Sequence, residues 1–455
     1  MEKSLLLAMN PWWKGKEHIQ EDEDYIKWDE KKIKWVPEVA SNIRLEPFSL
    51  NFIFGPRQVG KTTAIKLIIK ELLKEHKPEE IFYFRCDELK DYKELEDLLV
   101  SYFKFKEEYE IKSSFIFLDE ITFAHEWFRT IKSWIDEGKF KKDVLVVSGS
   151  ASLEVMKHAE YFPGRRGKGK DFFILPLSFR EFLKAIRPEL EERLPKLTLI
   201  DEMEIKIKSL KIFPHIEELN RLLNLYLKIG GFPLAINSYV NEKEVTSSVR
   251  ETYLNWIKND IVKVNRNSNT AREILKSVIN KIPSPMSWES IAKETSIKSP
   301  KTINAYLHTL QELFLLRISY CLNLNNLTID FGKNKKIHLI DPLFYELAEE
   351  WCLIDIKDKE NKKVEDVLAS HLSRFGKKTG IFSEEIFYWQ NGGEVDSVAR
   401  MKNKAIGFEM KWGKNAKPAS KIVGKMKEVY TISEHEFEPE KKIIPLSIFL
   451  SMIGA

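Results

Sequence analysis

Leu50-Asn51-Phe52-Ile53-Phe54-Gly55-Pro56-Arg57-Gln58-Val59-Gly60-Lys61-Thr62-Thr63, continued by AIKLIIKELLKEH (64–76), is the stretch that decides the fold. Its centre matches G-x-x-x-x-G-K-[ST], with a short apolar run ahead of it and an amphipathic run behind. Strand, glycine-rich turn and helix in that order let successive backbone N–H groups converge on phosphate, and the helix N-terminus adds its positive end. Lys61 is expected to reach the β- and γ-phosphates of ATP, and the Thr62 hydroxyl to ligate Mg²⁺. Gly55, Pro56, Arg57, Gln58, Val59, Gly60 and Thr63 complete the expected nucleotide cradle.

Outward from this loop the pattern repeats. IFYFRC (81–86), SFIFLDE (114–120) and DVLVVSGS (143–150) are short apolar runs, each followed by a helical segment. They predict βα units around a buried parallel sheet. SFIFLDE ends in two carboxylates, which places Asp119 to hold the Mg²⁺ shell and Glu120 to orient and deprotonate the attacking water. The competing reading is an acidic cap on the next helix. DVLVVSGS brings Ser148 or Ser150 beside the central strand, where a small hydroxyl can position water; a plain turn is the alternative. Phe162-Pro163-Gly164-Arg165-Arg166-Gly167 offers Arg165 or Arg166 as a charge-stabilising finger, in cis or toward a neighbour, against the reading of a solvated basic loop.

The 455 residues suit two to four domains. A formal charge of +4 permits nucleic-acid binding without arguing for it. Cys86, Cys321 and Cys352 are too few and too scattered for a disulfide framework or a zinc site. No apolar run approaches the ~20 residues that span a bilayer, and MEKSLLLAMNPWW does not read as a signal peptide. A cytoplasmic protein with no membrane partner is the expectation. Glutamine occurs only at positions 20, 58, 311 and 390, which fits either a hyperthermophile or an AT-rich genome.

The expected fold class is α/β, in five parts. Residues 1–45 form an arm carrying Trp12, Trp13, Trp28 and Trp35; 46–190 form a P-loop core; 191–280 form a helical lid. A winged helix-turn-helix follows at 281–330, and 331–455 return to mixed α and β as a restriction-nuclease-like domain. In the winged segment, Lys298, Lys301, Thr302, Asn304 and His308 form a plausible DNA-contacting face, although such modules also serve as lids or dimer contacts. Lys333, Lys335 and Lys336 read as a solvated basic cluster, and His338 and Asp341 as core strand and turn residues.

GPRQVGKTT, FLDEIT, VVSGSAS, PGRRGK, LPLSFREFL (175–183) and IGGFP (229–233), in this order, resemble the archaeal AAA-type ATPases of the STAND-like group. The resemblance implies a P-loop core, a helical lid, a winged helix and, often, a C-terminal nuclease-like domain. It implies Asp119 as the magnesium residue, Glu120 as the base, and Arg165 as the arginine of the G-R pair, with Arg166 a competitor.

At the far end, Glu365 lies in KKVEDVLASHL (362–372), Asp396 in YWQNGGEVDSVAR (388–400), and Glu409 and Lys411 in AIGFEMKWG (405–413). Strand alternation puts Glu409 and Lys411 on one face, and a hairpin can bring Asp396 beside them. This resembles the PD-(D/E)xK nuclease fold, with Glu409-Met410-Lys411 as the ExK element. Mg²⁺ is then expected on Asp396 and Glu409, with Glu365 holding the metal's outer shell and Lys411 positioning water. A plain hairpin ion pair, or a relic fold that binds DNA without cutting, is the alternative. Two functions follow: an ATPase acting on DNA in which ATP gates the C-terminal domain, or an ATP-dependent switch for signalling or defence with a non-catalytic C-terminal module. The oligomeric state is open.

Overall fold

The computed structural model describes residues 3–149, 162–198, 200–376, 386–413, 416–419 and 423–454. The chain divides into two compact units, Met1–Leu175 and Pro176–Ala455.

The first unit is built on β1 (Ser49–Phe54), β2 (Ile81–Arg85), β3 (Phe115–Asp119), β4 (Val144–Gly149) and β5 (Asp171–Phe173). All pair in parallel, in the order β2-β3-β4-β1-β5. Every residue of β1, β3 and β4 is buried, which is why these strands read as continuous apolar runs instead of alternating ones. The helices Lys61–Glu75, Tyr92–Glu108 and Phe128–Asp136 make the connections. The edge of β2 is closed by the N-terminal arm. The Asn10 amide donates to the Tyr83 carbonyl at 3.0 Å and accepts from the Tyr83 N–H at 2.7 Å, as a neighbouring strand would. The Trp12 and Trp13 indoles both donate to the Ile81 carbonyl, and Trp13 stacks on Phe105 with centroids 4.3 Å apart. An exposed strand edge invites foreign pairing, and the arm removes that hazard.

The second unit opens with the helix Phe179–Ile186. The expected boundary at 190 falls inside this unit, and LPLSFREFL belongs to it for a packing reason. Ser178 and Glu181 form a capping box at the helix start. The buried Arg180 guanidinium binds Glu191 at 2.6 Å and the carbonyls of Leu194 and Ser451. Helices Ile216–Ile229, Ser247–Lys263 and Ser268–Lys281 follow, then the pair Trp288–Glu294 and Pro300–Glu312. Next come β6 (Leu316–Ser319), β7 (Cys321–Asn323), β8 (Thr328–Asp330) and β9 (Lys336–Leu339). β6 and β9 pair antiparallel as a two-stranded sheet directly after the helix pair.

The expected boundary at 330 is also not a break, because β7 and β8 join the sheet of the C-terminal region. That sheet contains β10 (Ile386–Gln390), β11 (Glu394–Arg400), β12 (Ala405–Lys411), β13 (Met426–Ser433) and β14 (Ile443–Pro445). Its order is β14-β13-β12-β11-β10-β7-β8. β10, β11 and β12 run antiparallel in succession, and β13 lies parallel to β12. The helix Lys359–Gly376 precedes β10. The β10–β11 register slips between Phe387 and Trp389, so Phe387 faces Val398 while Trp389 faces Val395. The extra β11 residue falls at Asp396–Ser397, and such a bulge re-aims side chains.

Candidate nucleotide site and C-terminal carboxylate cluster

The glycine-rich loop leaves β1 and turns into Lys61–Glu75. Gly55 adopts φ +154°, and a Cβ there would lie 2.1 Å from the Ile174 carbonyl oxygen, so only glycine fits. Gly60 sits at φ +97° immediately before the helix, and Gln58 holds φ +64°. The Lys61 ammonium is buried; it donates to the carbonyls of Gly55 at 3.1 Å and Pro56 at 3.0 Å and lies 3.5 Å from Glu120. Those two carbonyls hold the ammonium over the loop that would receive phosphate.

Thr62 Oγ1 donates to Asp119 Oδ2 at 2.6 Å, so the end of β3 and the start of the helix present two oxygens side by side. Hard oxygen donors of this kind suit Mg²⁺. Ser148 Oγ donates to the other Asp119 oxygen and also accepts from the Glu120 N–H at 3.1 Å. It thus ties β3 to β4 at the carboxylate pair. Ser150, its alternative, lies outside the described residues. Burial, and then the neighbouring Glu120 charge, raise the Asp119 pKa above the usual carboxylate value. Glu120 sits at φ +50°, an uncommon conformation for a residue with a side chain. Such strain is found where a side chain must be aimed.

One contributor was not anticipated. The Tyr83 hydroxyl, from β2, donates to Asp119 Oδ2 at 3.1 Å. Burial raises the Tyr83 pKa well above 10, helped by the Asp119 charge, so the phenol stays a donor. The Lys66 ammonium lies 3.1 Å from the Tyr83 ring centroid and 2.8 Å from Asp22 of the arm. A tyrosine inside an apolar strand carries no motif; only the facing strand reveals its partner.

Arg165 and Arg166 lie elsewhere. The Arg166 carbonyl accepts from the Leu50 N–H at 3.0 Å, and Gly167 bridges Ser49, so this segment meets the entry of β1. The phosphate loop leaves β1 at its other end, about 13 Å away at ~3.3 Å per residue. Arg165 forms a two-point pair with Asp136 at 2.5 and 3.2 Å, and Arg166 binds Asp171 at 2.6 Å. The expectation of a finger acting in cis is corrected: neither arginine is brought to the phosphate loop of its own chain.

The expected Mg²⁺ set of Glu365, Asp396 and Glu409 is also corrected. Among the described residues no group of three or more His, Cys, Asp and Glu side chains is arranged to hold a metal ion. The Lys336 ammonium stands between the carboxylates, 2.7 Å from Glu365, 2.6 Å from Glu394 and 3.1 Å from Asp396. Glu409 turns instead to Lys411 at 2.5 Å. The second Asp396 oxygen accepts the Met410 N–H at 2.9 Å, in place of a ladder bond beyond the paired Ser397 and Phe408. Lys336 is therefore no member of a solvated cluster; it is 1% exposed. Burial pushes the Glu365 pKa up to about 8, reinforced by Asp396 and opposed by Lys336. Burial opposes charge on Lys336, but the three carboxylates outweigh it and its pKa is raised, so we take the ammonium as protonated.

His338 and Asp341 are core residues, as expected. His338 pairs with buried Asp366 at 2.9 Å. Asp341 accepts the N–H groups of Gly231 and Leu343, at 2.8 and 2.9 Å, and fastens IGGFP to the turn after β9. In the helix Pro300–Glu312, Lys301 is exposed, while Thr302, Asn304 and His308 are half-buried; Lys298 turns back to the Thr295 carbonyl at 3.0 Å. No helix of the described residues is long and apolar enough to cross a membrane.

Two family models match the chain: an AAA domain over residues 48–183, and a domain of unknown function, DUF8612, over residues 220–347. An uncharacterized protein of Methanocaldococcus jannaschii, MJ1637, is 24% identical over 351 residues, covering 75% of this chain and 72% of that protein. Among solved structures, the Walker-type ATPase PABY2304 of Pyrococcus abyssi is 12% identical, covers 67% of this chain and 91% of its own, and has a TM-score of 0.40. The ORC1 protein of Aeropyrum pernix, solved in complex with DNA, is 13% identical, with coverages of 74% and 96% and a TM-score of 0.32. The AAA-domain model that matches residues 48–183 and the geometry around Lys61, Thr62 and Asp119 agree on a P-loop ATPase core for this segment.

Proposed function

We propose that the chain binds Mg²⁺-ATP on the loop Gly55–Thr63, hydrolyses it, and uses that cycle to govern an interaction of the second unit with DNA. The observation that carries the hydrolytic part is the convergence of Thr62, Ser148 and Tyr83 on Asp119, with Glu120 next to it. Thr62 and Asp119 would hold Mg²⁺, which supplies charge neutralisation at the β- and γ-phosphates. Lys61 exchanges its two loop carbonyls for phosphate oxygens. Glu120, adjacent to Lys61, is the group that takes a proton from the attacking water. Arg165 and Arg166 act only toward a neighbouring molecule in this reading.

For the second unit, the helix Lys359–Gly376 followed by three antiparallel strands and a fourth strand parallel to the third supports a restriction-nuclease-like core. The helix pair followed by β6 and β9 supports a winged helix that contacts DNA through Lys298, Lys301, Thr302, Asn304 and His308. A specific observation favours the second reading, a non-catalytic binding module within an ATP-dependent switch. Lys336 stands where a nuclease would hold its metal. The experiment is multiple-turnover ATP hydrolysis with and without double-stranded DNA, run beside Mg²⁺- and Mn²⁺-dependent cleavage of labelled DNA. Stimulation of hydrolysis by DNA without cleavage is the expected result. Cleavage abolished by Asp396→Ala would restore the nuclease; no hydrolysis and no DNA binding would sink both readings.

A further inference from the structure

The helix Glu202–Ile212, in the second unit, carries apolar side chains on two opposite faces. At 3.6 residues per turn, Ile205, Ser209 and Ile212 share one face and are buried. Met203, Ile207 and Leu210 share the other, and they are 62%, 45% and 49% exposed. A surface helix needs one apolar stripe to face its own core, and a second stripe calls for a second covering. Phe213, just past the helix end, is also exposed and stacks on Phe437 with centroids 4.3 Å apart, which lengthens the stripe. These side chains leave on the order of 400 Å² of apolar surface open, in the range where a patch on a single chain marks an interaction surface.

The stripe is matched to itself. Counted from Ile207, the apolar residues stand four places before and three after, with acidic Glu204 three before and basic Lys211 four after. Glu204 and Lys211 lie on the same flank of the stripe. A second copy of the helix laid antiparallel across a two-fold axis at Ile207 brings Ile207 against its own copy. The same axis sets Met203 against Leu210 of the second copy, and Glu204 against its Lys211, each pair occurring twice. Partners then differ in height by a single step of about 1.5 Å, whereas a parallel copy would hold Glu204 and Lys211 about 10 Å apart along the axis. Glu204 is fixed in place by the Thr198 N–H and hydroxyl, both at 2.8 Å, and by Lys208 one turn on. Lys211 is exposed in the last turn.

We propose that Met203, Ile207 and Leu210 are the centre of a two-fold interface between two copies of this chain, oriented by Glu204 and Lys211. Two such faces with their rims bury about 1,000 Å², the lower bound for a specific contact, so association falls in the micromolar range. The inference goes beyond the nucleotide and DNA reading and holds without either ligand.

The test is sedimentation equilibrium of the full chain without nucleotide or DNA, for the wild type, Ile207→Asp and Lys211→Glu, with thermal unfolding of each. The expected result is a wild-type dimer that dissociates on dilution, a monomeric Ile207→Asp, and at least about 10-fold weaker association of Lys211→Glu. Both substitutions are at exposed positions, so the unfolding temperature should hold; if Ile207→Asp lowers it, Ile207→Ser carries the same outcomes. Direction is read from cysteine cross-linking, since Cys86, Cys321 and Cys352 are all buried. Met203→Cys mixed with Leu210→Cys should form a disulfide between chains. Neither should do so alone, because like positions stand roughly 9–12 Å apart along the antiparallel pair. A wild type that is monomeric at about 100 μM leaves the stripe to some other partner and overturns the proposal. A dimer that survives Ile207→Asp overturns it too, as does Met203→Cys that links to itself.

Discussion

Of the buried lysines that sit beside carboxylates, Lys61 in the first unit and Lys336 in the second are held in opposite ways. Lys61 leans on two backbone carbonyls, with Glu120 at 3.5 Å. Lys336 is clasped by three carboxylates, none farther than 3.1 Å. Carbonyl oxygens carry only partial charge, so an anionic ligand can outbid them for the first ammonium. The second already has more negative charge around it than it can neutralise. The difference teaches that a lysine's present partners report what it is waiting for. Dipoles around an ammonium point to an incoming anion; carboxylates around it point to a place taken.

Lys336→Met tests the contrast where the effect should be greatest. Removing one partner of a buried ionic cluster leaves uncompensated charge, and a loss of about 3–5 kcal/mol in metal-free unfolding experiments is expected. A loss under about 1 kcal/mol would mean that the carboxylates had simply taken up protons. Lys61→Ala should leave folding nearly intact yet cost roughly 10²–10³-fold in ATP hydrolysis, the scale of one preorganised charge-stabilising donor. Full activity in that variant, read as phosphate release, would break the comparison outright.

Asp341 sharpens it from the acidic side, because its hydrogen bonds too come from backbone dipoles. Burial pushes its pKa up to about 6 from 3.8. The folded state then keeps a proton that the unfolded chain has released, so stability falls as pH rises from about 4 to about 6 and is level above that. The window is worth at most about 3 kcal/mol. Asp341→Asn should flatten the unfolding temperature across this window, whatever its absolute stability; an unchanged slope would remove Asp341 as its source. The smallest effect belongs to Tyr83→Phe. Losing one bond to Asp119 should cost about 1 kcal/mol, seen as several-fold weaker Mg²⁺ dependence of nucleotide affinity while metal-free nucleotide affinity holds.

The first unit was readable in advance because its signals are local. Gly55 to Thr63 is a contiguous loop, and a parallel strand buried on both faces betrays itself as an apolar run. Asp119 and Ser148 each end such a run, which is enough to aim them at the loop. Tyr83 was hidden because its partner is 36 residues away on a neighbouring strand. The C-terminal cluster misled for a related reason. Glu365 and Asp396 do come to one place, yet nothing in Lys-Asn-Lys-Lys distinguishes the buried Lys336 from the exposed Lys333 or the half-buried Lys335. The hairpin expectation put Asp396 beside Glu409, but the Asp396 oxygens go to Lys336 and the Met410 N–H while Glu409 pairs with Lys411. The arginines at 165 and 166 were near glycines, as a finger requires, but chain direction carried them to the wrong end of β1.

The arm that closes the edge of β2 grips the backbone of Tyr83, whose hydroxyl holds Asp119. Only that one residue separates the arm from the carboxylate proposed to hold magnesium. A pull on Asn10, from a fused partner or a protease cut beyond it, therefore reaches the Asp119 carboxylate through a single side chain.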